Sequence, residues 1–175
     1  MNAPTLESAR LRLRAHGPSD LAACAAMWSD PEVTRYIGAR ASNEQQTWSR
    51  VLAYAGHWAL LGFGYWLIEE RESGAFVGEI GFADFHRALA PAMRDVPEFG
   101  FALAAAYHGR GYGTEAARAV HAWGDEHLAS DRTVCITSPL NAPSRAVVEK
   151  LGYRCFEETR IDGAPILCYE RRIPR

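Results

Sequence analysis

Tyr107-His108-Gly109-Arg110-Gly111-Tyr112-Gly113-Thr114-Glu115-Ala116-Ala117 joins an apolar strand to an amphipathic helix through three alternate glycines. Glycine opens backbone conformations closed to residues with a Cβ, so successive N–H groups can turn toward one point. The helix that follows adds unpaired N-terminal donors and the positive end of its dipole. The stretch reads as an anion cradle suited to a pyrophosphate. Neither familiar phosphate loop fits it. A dinucleotide fold needs G-x-G-x-x-G, and here Gly109, Gly111 and Gly113 are followed by Ala116. A Walker loop needs G-K-[ST], and no lysine follows Gly113.

Upstream of the loop, Glu98-Phe99-Gly100-Phe101-Ala102-Leu103 alternates. Phe99, Phe101 and Leu103 take one face of a strand, and Glu98, Gly100 and Ala102 the other. Residues 86 to 97 carry two prolines and mixed charge and read as a loop. Before it, 65–69 and 75–82 are strand-like runs joined through Gly74, a hairpin signal. Leu11 and Leu13 alternate with Arg10, Arg12 and Arg14, giving a strand with a solvated arginine face. Helical spacing covers Leu21 to Trp28, with Asp20 as its cap and Asp30-Pro31 as its end, and a second helix runs from about 42 to 61.

Downstream, Ala116, Ala117, Val120, Trp123 and Leu128 recur at helical spacing, predicting a helix over 113–129. Residues 133–137 form a short buried strand. Asn141-Ala142-Pro143-Ser144 opens another helix, and Gly152 supplies its left-handed stop. Residues 153–157 and 166–173 read as the last two strands. The order predicts a mixed α/β single domain over residues 1–175, with seven strands.

A chain of 175 residues is one domain by length and needs no covalent staple. A net charge of −2 offers no general attraction to nucleic acid or an anionic membrane. The start lacks the regions of a signal peptide, and no apolar run spans a bilayer, so the expected setting is soluble and cytoplasmic. Cysteines at 24, 135, 155 and 168 are spread apart with no C-x-x-C pair, which predicts buried free thiols and no metal.

His108, Gly111 and Gly113 occupy the defining positions of [QR]-x-x-G-x-[GA], with histidine where glutamine or arginine is usual, and on these residues the loop resembles the pyrophosphate loop of the GNAT family of N-acetyltransferases. The resemblance extends over residues 9 to 173. The segment from Thr5 to Arg14, Ser29-Asp30-Pro31-Glu32-Val33, Gly78-Glu79-Ile80-Gly81-Phe82, Asn141-Ala142-Pro143-Ser144 and Lys150-Leu151-Gly152-Tyr153 are similar to the ribosomal-protein N-terminal acetyltransferase (RimJ/RimL-like) subfamily.

This resemblance implies a mixed central sheet of about seven strands with flanking helices, two of its strands splaying apart around acetyl-coenzyme A. The cofactor would lie between residues 101–105 and 134–138. Leu103 and Ala104 would bind pantetheine through backbone, and His108, Gly109, Arg110, Gly111, Tyr112, Gly113 and Thr114 would hold the pyrophosphate. Asn141 and Ser144 would touch the cofactor. Direct attack of an amine on the thioester is implied, with Glu98 as base, Glu79 as the other candidate, and Ser144 as acid. Glu98 also reads as a solvated carboxylate at a strand start, and Asn141 and Ser144 as a plain helix cap. The acceptor is a protein N-terminus or a small amine such as a drug, polyamine or amino acid. Trp28, Tyr36, Trp58 and Phe85 would lie toward the acceptor side and also read as core residues. A monomer or homodimer is expected. A non-catalytic coenzyme-binding sensor or interaction module is the alternative.

Overall fold

The computed structural model describes residues 2–38, 40–87, 89 and 91–174. Its elements are β1 (Leu6–Glu7), β2 (Leu11–Arg14), α1 (Leu21–Ser29), α2 (Pro31–Thr34), α3 (Glu44–Leu61), β3 (Tyr65–Glu70), β4 (Phe76–Ala83), β5 (Glu98–Leu103), α4 (Tyr112–His127), β6 (Arg132–Thr137), α5 (Ala142–Lys150), β7 (Arg154–Ile161) and β8 (Ala164–Arg172). Eight strands form one mixed sheet in the order β1-β2-β3-β4-β5-β6-β8-β7. The strand beyond the expected seven is β1, whose two residues pair with Leu13 and Arg12. Two residues are too short for a period to register in sequence.

The sheet is covered on both faces. On one, α4 sets Ala116, Ala117 and Val120 against the core of Trp66, Ile68, Ile80 and Phe82. On the other, Cys24 of α1 and Val51 of α3 meet Leu67, while Met27 and Trp28 meet Ala102. The central strand β4 is therefore buried on both sides over nearly its whole length. Fully burying each large apolar side chain in such a core contributes about 1.5–3 kcal/mol.

The helix ends follow local chemistry. Asn43 Oδ1 accepts from Gln46 N–H and Gln46 Oε1 from Asn43 N–H, both at 2.9 Å, a reciprocal box opening α3. Asn141 Oδ1 accepts from Ser144 N–H at 3.1 Å to open α5, and Gly152 follows it at φ 90°. Asp20 does not cap α1. Its carboxylate is taken by both terminal nitrogens of Arg14 at 2.8 Å and by Gly17 N–H at 2.7 Å. Arg14 also meets Glu69, so the arginine row on β2 is only partly a solvated face. Past Asp30 the chain forms the short α2, with Asp30 Oδ1 accepting from Glu32 N–H at 2.8 Å. The last hairpin is longer than expected, turning through Asp162 and Gly163, both at positive φ. Cys24, Cys135 and Cys168 are buried, but Cys155 is exposed on β7, which lies at the sheet edge beside a register shift.

One junction sets up the site. Strands β5 and β6 run parallel and share a single aligned pair, Glu98 with Val134. Val134 N–H also donates to Pro97 O at 3.0 Å. Beyond that point β6 has no further aligned partner on β5, while its other edge pairs along its whole length with β8. The two strands thus open into a V with Glu98 at its vertex.

Candidate functional site

The open end of the V leads to the glycine loop. Gly109 and Gly111 have φ of 72° and 80°, the left-handed region where a Cβ is strained. Gly111 caps α4 without a side chain, and Glu115 N–H is the first in the helix to reach back, bonding Gly111 O at 3.1 Å. The N–H groups of Tyr112, Gly113 and Thr114 have no acceptor within the protein among the described residues. A helix of 16 residues thus presents three free donors and the positive end of its dipole beside the glycine turn. That geometry fits a pyrophosphate.

Glu115, an acid in the first turn of α4, would oppose an anion there. It is neutralised from behind. Arg10 donates to it from Nε at 2.7 Å and from backbone N–H at 2.8 Å, and Ser8 Oγ donates at 2.8 Å. Arg10 also donates to Arg110 O at 3.1 Å and lies 4.4 Å from the centre of the Tyr112 ring. It braces the loop from the bend between β1 and β2, about a hundred residues away, which no local signal in the sequence announces. Tyr112 turns its hydroxyl to Glu70, so its contribution to the cradle is its N–H. Arg110 is exposed, makes no ion pair among the described residues and stands beside the Tyr107 and Tyr112 rings.

The wall of the V is backbone. Ala104 N–H donates to Val77 O at 2.9 Å. By antiparallel alternation, the even-numbered residues of β5 bond toward β4, while the N–H and C=O groups of Phe101 and Leu103 face the gap. Leu103 is therefore placed to meet a bound chain, whereas the Ala104 N–H is engaged within the sheet. His108 is engaged too: its Nε2–H donates to Leu103 O at 2.9 Å and its N–H to Ala105 O at 3.1 Å. The ring is turned back on β5 and not into the cradle. From Glu98 to Leu103 the strand covers five steps, about 16 Å at 3.3 Å per residue, long enough to carry an extended arm from cradle to vertex.

Glu98 is 8% exposed. Arg87 Nε donates to both of its carboxylate oxygens, at 3.0 and 3.1 Å. Burial raises the Glu98 pKa above the ordinary carboxylate value, with Arg87 opposing and Asp84 adding to the rise. Arg87 belongs to the segment 86 to 97, whose Ala88 and Ala90 lie outside the described residues. Glu79 is a different case, with no exposure at all. Trp28 Nε1–H donates to it at 2.8 Å, the Tyr54 hydroxyl at 3.3 Å, and His16 Nε2 lies 3.3 Å away without hydrogen-bond alignment. Burial pushes its carboxyl up, but His16, Trp28 and Cys24 more than offset that and hold it below the usual value. Glu79 is an anion wrapped by the core.

The Glu98 face of β5 carries Gly100 for a steric reason. A Cβ there would stand 2.2 Å from the Tyr65 hydroxyl. Tyr65 stacks on Tyr54 at 4.4 Å and 1°, and Trp28 closes the same face over Ala102. Trp58 packs instead on Trp66 and Trp123. Phe85 stands edge-on to Tyr65 at 6.5 Å with the Arg87 guanidinium 4.5 Å from its centre. Tyr36 lies on the surface near Arg35. Across the gap, Ser144 sits half-buried in the first turn of α5, its N–H held by Asn141. The structure brings no side-chain contact between Glu98 and Ser144.

Among the described residues no helix is long and apolar enough to cross a membrane. Residues 10–154 match the acetyltransferase (GNAT) domain family. YkkB of Bacillus subtilis (strain 168) is 30% identical over 178 residues, covering 98% of each chain. A solved structure of a putative GnaT-family acetyltransferase from Bordetella pertussis is 31% identical, with a TM-score of 0.86 over 97% of this chain and 99% of that one. The ribosomal L7/L12 alpha-N-protein acetyltransferase RimL, solved with coenzyme A, gives a TM-score of 0.77 over 97% and 98% of the two chains, at 17% identity, a likeness of fold alone. With a family match spanning most of its length and a splayed, glycine-cradled gap at its centre, the chain belongs to the GNAT family and is an acyl-coenzyme A-dependent acetyltransferase.

Proposed function

We propose that the protein transfers the acetyl group of acetyl-coenzyme A to a primary amine by direct attack in a ternary complex, in the manner of the RimJ/RimL-like enzymes. The observation that carries this reading is the vertex. Glu98, a buried carboxylate of raised pKa, stands where β5 and β6 part, at one end of a backbone-lined gap whose other end is an anion cradle. When bound, the thioester supplies an electrophilic carbonyl carbon and a thiolate leaving group.

In this reading the amine nitrogen bonds to the carbonyl carbon, the C–S bond breaks, and Glu98 takes the ammonium proton. A free α-amine titrates near pH 8 and a lysine near 10.4, so a base matters more for the second. Ser144 donates a proton to the departing sulfur, whose reference pKa near 8.5 asks for modest help, and solvent returns a proton to Ser144 and takes the one held by Glu98. Gly109, Arg110, Gly111, Tyr112, Gly113 and Thr114 hold the pyrophosphate, Arg110 by charge and the others by backbone. Leu103 orients the pantetheine arm, and Asn141 holds the turn that presents Ser144. The protein works in the cytoplasm as a monomer or homodimer, without metal, nucleic acid or membrane.

The test is thiol release from acetyl-coenzyme A against a panel of amines and peptides, with coenzyme binding measured separately. Transfer that collapses in Glu98→Gln while coenzyme affinity holds is the expected result. Coenzyme binding with no transfer to any acceptor would favour a sensor module.

A further inference from the structure

Arg50, on the helical layer over the Glu98 face of the sheet, stands without a carboxylate among the described residues. It projects from α3 and lies 3.9 Å from the centre of the Trp28 ring. It is half-buried, its Nε is buried with no hydrogen-bond partner, and among the described residues it makes no ion pair. Arg14 and Arg87, by contrast, each clasp an acid. Glu79 makes no ion pair with it: Oε2 of Glu79 accepts from both Trp28 and Tyr54, and its Oε1 faces His16 Nε2 at 3.3 Å. A cation drawn out of water without a partner costs free energy, and a binding site recovers that cost when its ligand brings the missing anion.

The setting of Arg50 is rigid and points to the reaction centre. Trp28, its platform, is fixed by its own bond to Glu79. One helical turn on from Arg50, Tyr54 stacks on Tyr65, and the Tyr65 hydroxyl lies over Gly100 on β5. Trp28 in turn packs against Ala102 of β5, on the strand face that carries Glu98 and Gly100, so Arg50 stands over that face. The floor thus offers a carboxylate of raised pKa at one point and a guanidinium with no carboxylate partner at another, a pair complementary to a ligand that is cationic at one end and anionic at the other.

We infer that Arg50 is a specificity-determining residue that binds a carboxylate carried close to the acceptor amine, so that the acceptor is an amino acid or a peptide with an acidic residue beside its N-terminus, and not a polyamine or other purely cationic amine. This rests on the acetyl-transfer reading given above. The guanidinium is suited to planar, two-point recognition of a carboxylate. Arg50 then sets the acceptor so that its amine falls to Glu98, while Trp28 keeps the guanidinium plane from turning.

The test compares kcat/KM for matched acceptors: free amino acids, the same amino acids as amides, and short peptides with an acidic or a neutral second residue. The wild-type enzyme should favour the carboxylate-bearing member of one of these pairs, the pair identifying its source. Arg50→Met keeps bulk over Trp28 without charge and should reduce that preference about 10- to 100-fold, the range of a lost hydrogen bond to a charged group. Arg50→Lys should restore part of it, and KM for acetyl-coenzyme A should stay constant in both. Circular dichroism confirms that each variant is folded. Equal rates for every matched pair in the wild type, or an equal loss for both members in Arg50→Met, overturns the inference. Calorimetry of N-acetyl amino acids and N-acetyl peptides on the enzyme with coenzyme A separates the two readings. Binding that weakens in Arg50→Met upholds the anion site even where transfer fails, and binding that ignores the substitution sinks it even where transfer proceeds.

Discussion

Glu98 and Val134 form the single aligned pair between β5 and β6, so the residue that closes the gap is the one carboxylate facing it from β5. A base at the vertex is held by two neighbouring strands on its own sheet and needs no loop to position it. Its pKa is raised by burial, so turnover should rise with pH through a value above the ordinary carboxylate range. In Glu98→Gln that acid limb disappears and kcat falls about a hundred- to ten-thousand-fold. The loss should be largest between the pKa of Glu98 and that of the amine. A pH–rate profile reads both, and an unchanged acid limb would remove Glu98 from the role.

Arg87 acts on the same limb with a definite sign. Its charge and its hydrogen bond both favour the ionised Glu98 and partly oppose the effect of burial. Arg87→Ala removes that opposition, so the Glu98 pKa climbs further and the acid limb of the profile moves to higher pH. A shift to lower pH would mean that the contact with Glu98 does not persist in the working enzyme.

The elements were legible in sequence where one period dominated: alternation gave β5, helical spacing gave α3 and α4, and glycine placement gave the left-handed turn that opens α4. What the sequence hid were contacts between distant residues. Arg10 looks like one of three solvated arginines until the fold sets it against Glu115, and Arg87 looks like a loop charge until the chain brings it onto Glu98. Cys155 sits in an apolar run, yet an edge strand with a register shift leaves it exposed. The alternation of Leu103 and Ala104 toward and away from the gap needs the register of β4, which only pairing fixes. Arg50 carries no motif, and its lack of an ion-pair partner appears only once the fold has set it on Trp28.

The cradle should respond to bulk and hardly to the neighbouring histidine. Gly111 has a φ of 80° and a Cβ there would stand 3.5 Å from an Arg10 nitrogen. Gly111→Trp carries backbone strain of order 1–3 kcal/mol and puts bulk beside the free donors, so coenzyme affinity should fall beyond detection while the circular dichroism spectrum is retained. His108→Ala loses one hydrogen bond, to Leu103 O, worth about 1 kcal/mol of stability, and coenzyme affinity should change little. Calorimetric titration with coenzyme A ranks the two, and the reverse ranking would sink the backbone account of the cradle.

Gly100 should be intolerant of a methyl group for a reason that a second substitution relieves. The clash in Gly100→Ala is with the Tyr65 oxygen at 2.2 Å, whereas the ring carbon behind it lies at an ordinary 3.5 Å. Overpacking of this kind costs about 1–3 kcal/mol. Adding Tyr65→Phe removes the offending atom and should recover most of the stability lost, measured as a urea midpoint. No recovery would show that the glycine is needed for its backbone and not for the tyrosine.

His121 should give the fold a dependence on pH. It is 4% exposed, and burial lowers its pKa to about 4, opposed by the bond to Ala117. Nδ1–H donates to Ala117 O at 2.7 Å, which leaves Nε2 of the neutral ring to accept from the Tyr153 hydroxyl at 2.9 Å. Thr133 Oγ1 completes the chain at 2.6 Å from that hydroxyl. A proton on Nε2 would remove the acceptor inside the core. The unfolded chain takes up that proton near pH 6.5 and the folded chain only near 4, so the stabilisation is complete above 6.5 and is lost as pH falls toward 4. The gap between the two values corresponds to about 3 kcal/mol. His121→Phe has no proton to bind there, and its stability between pH 6.5 and 4 should fall less steeply than that of the wild type, by close to one proton in the slope of unfolding free energy against pH. Equal slopes would assign the acid sensitivity to the carboxylates alone.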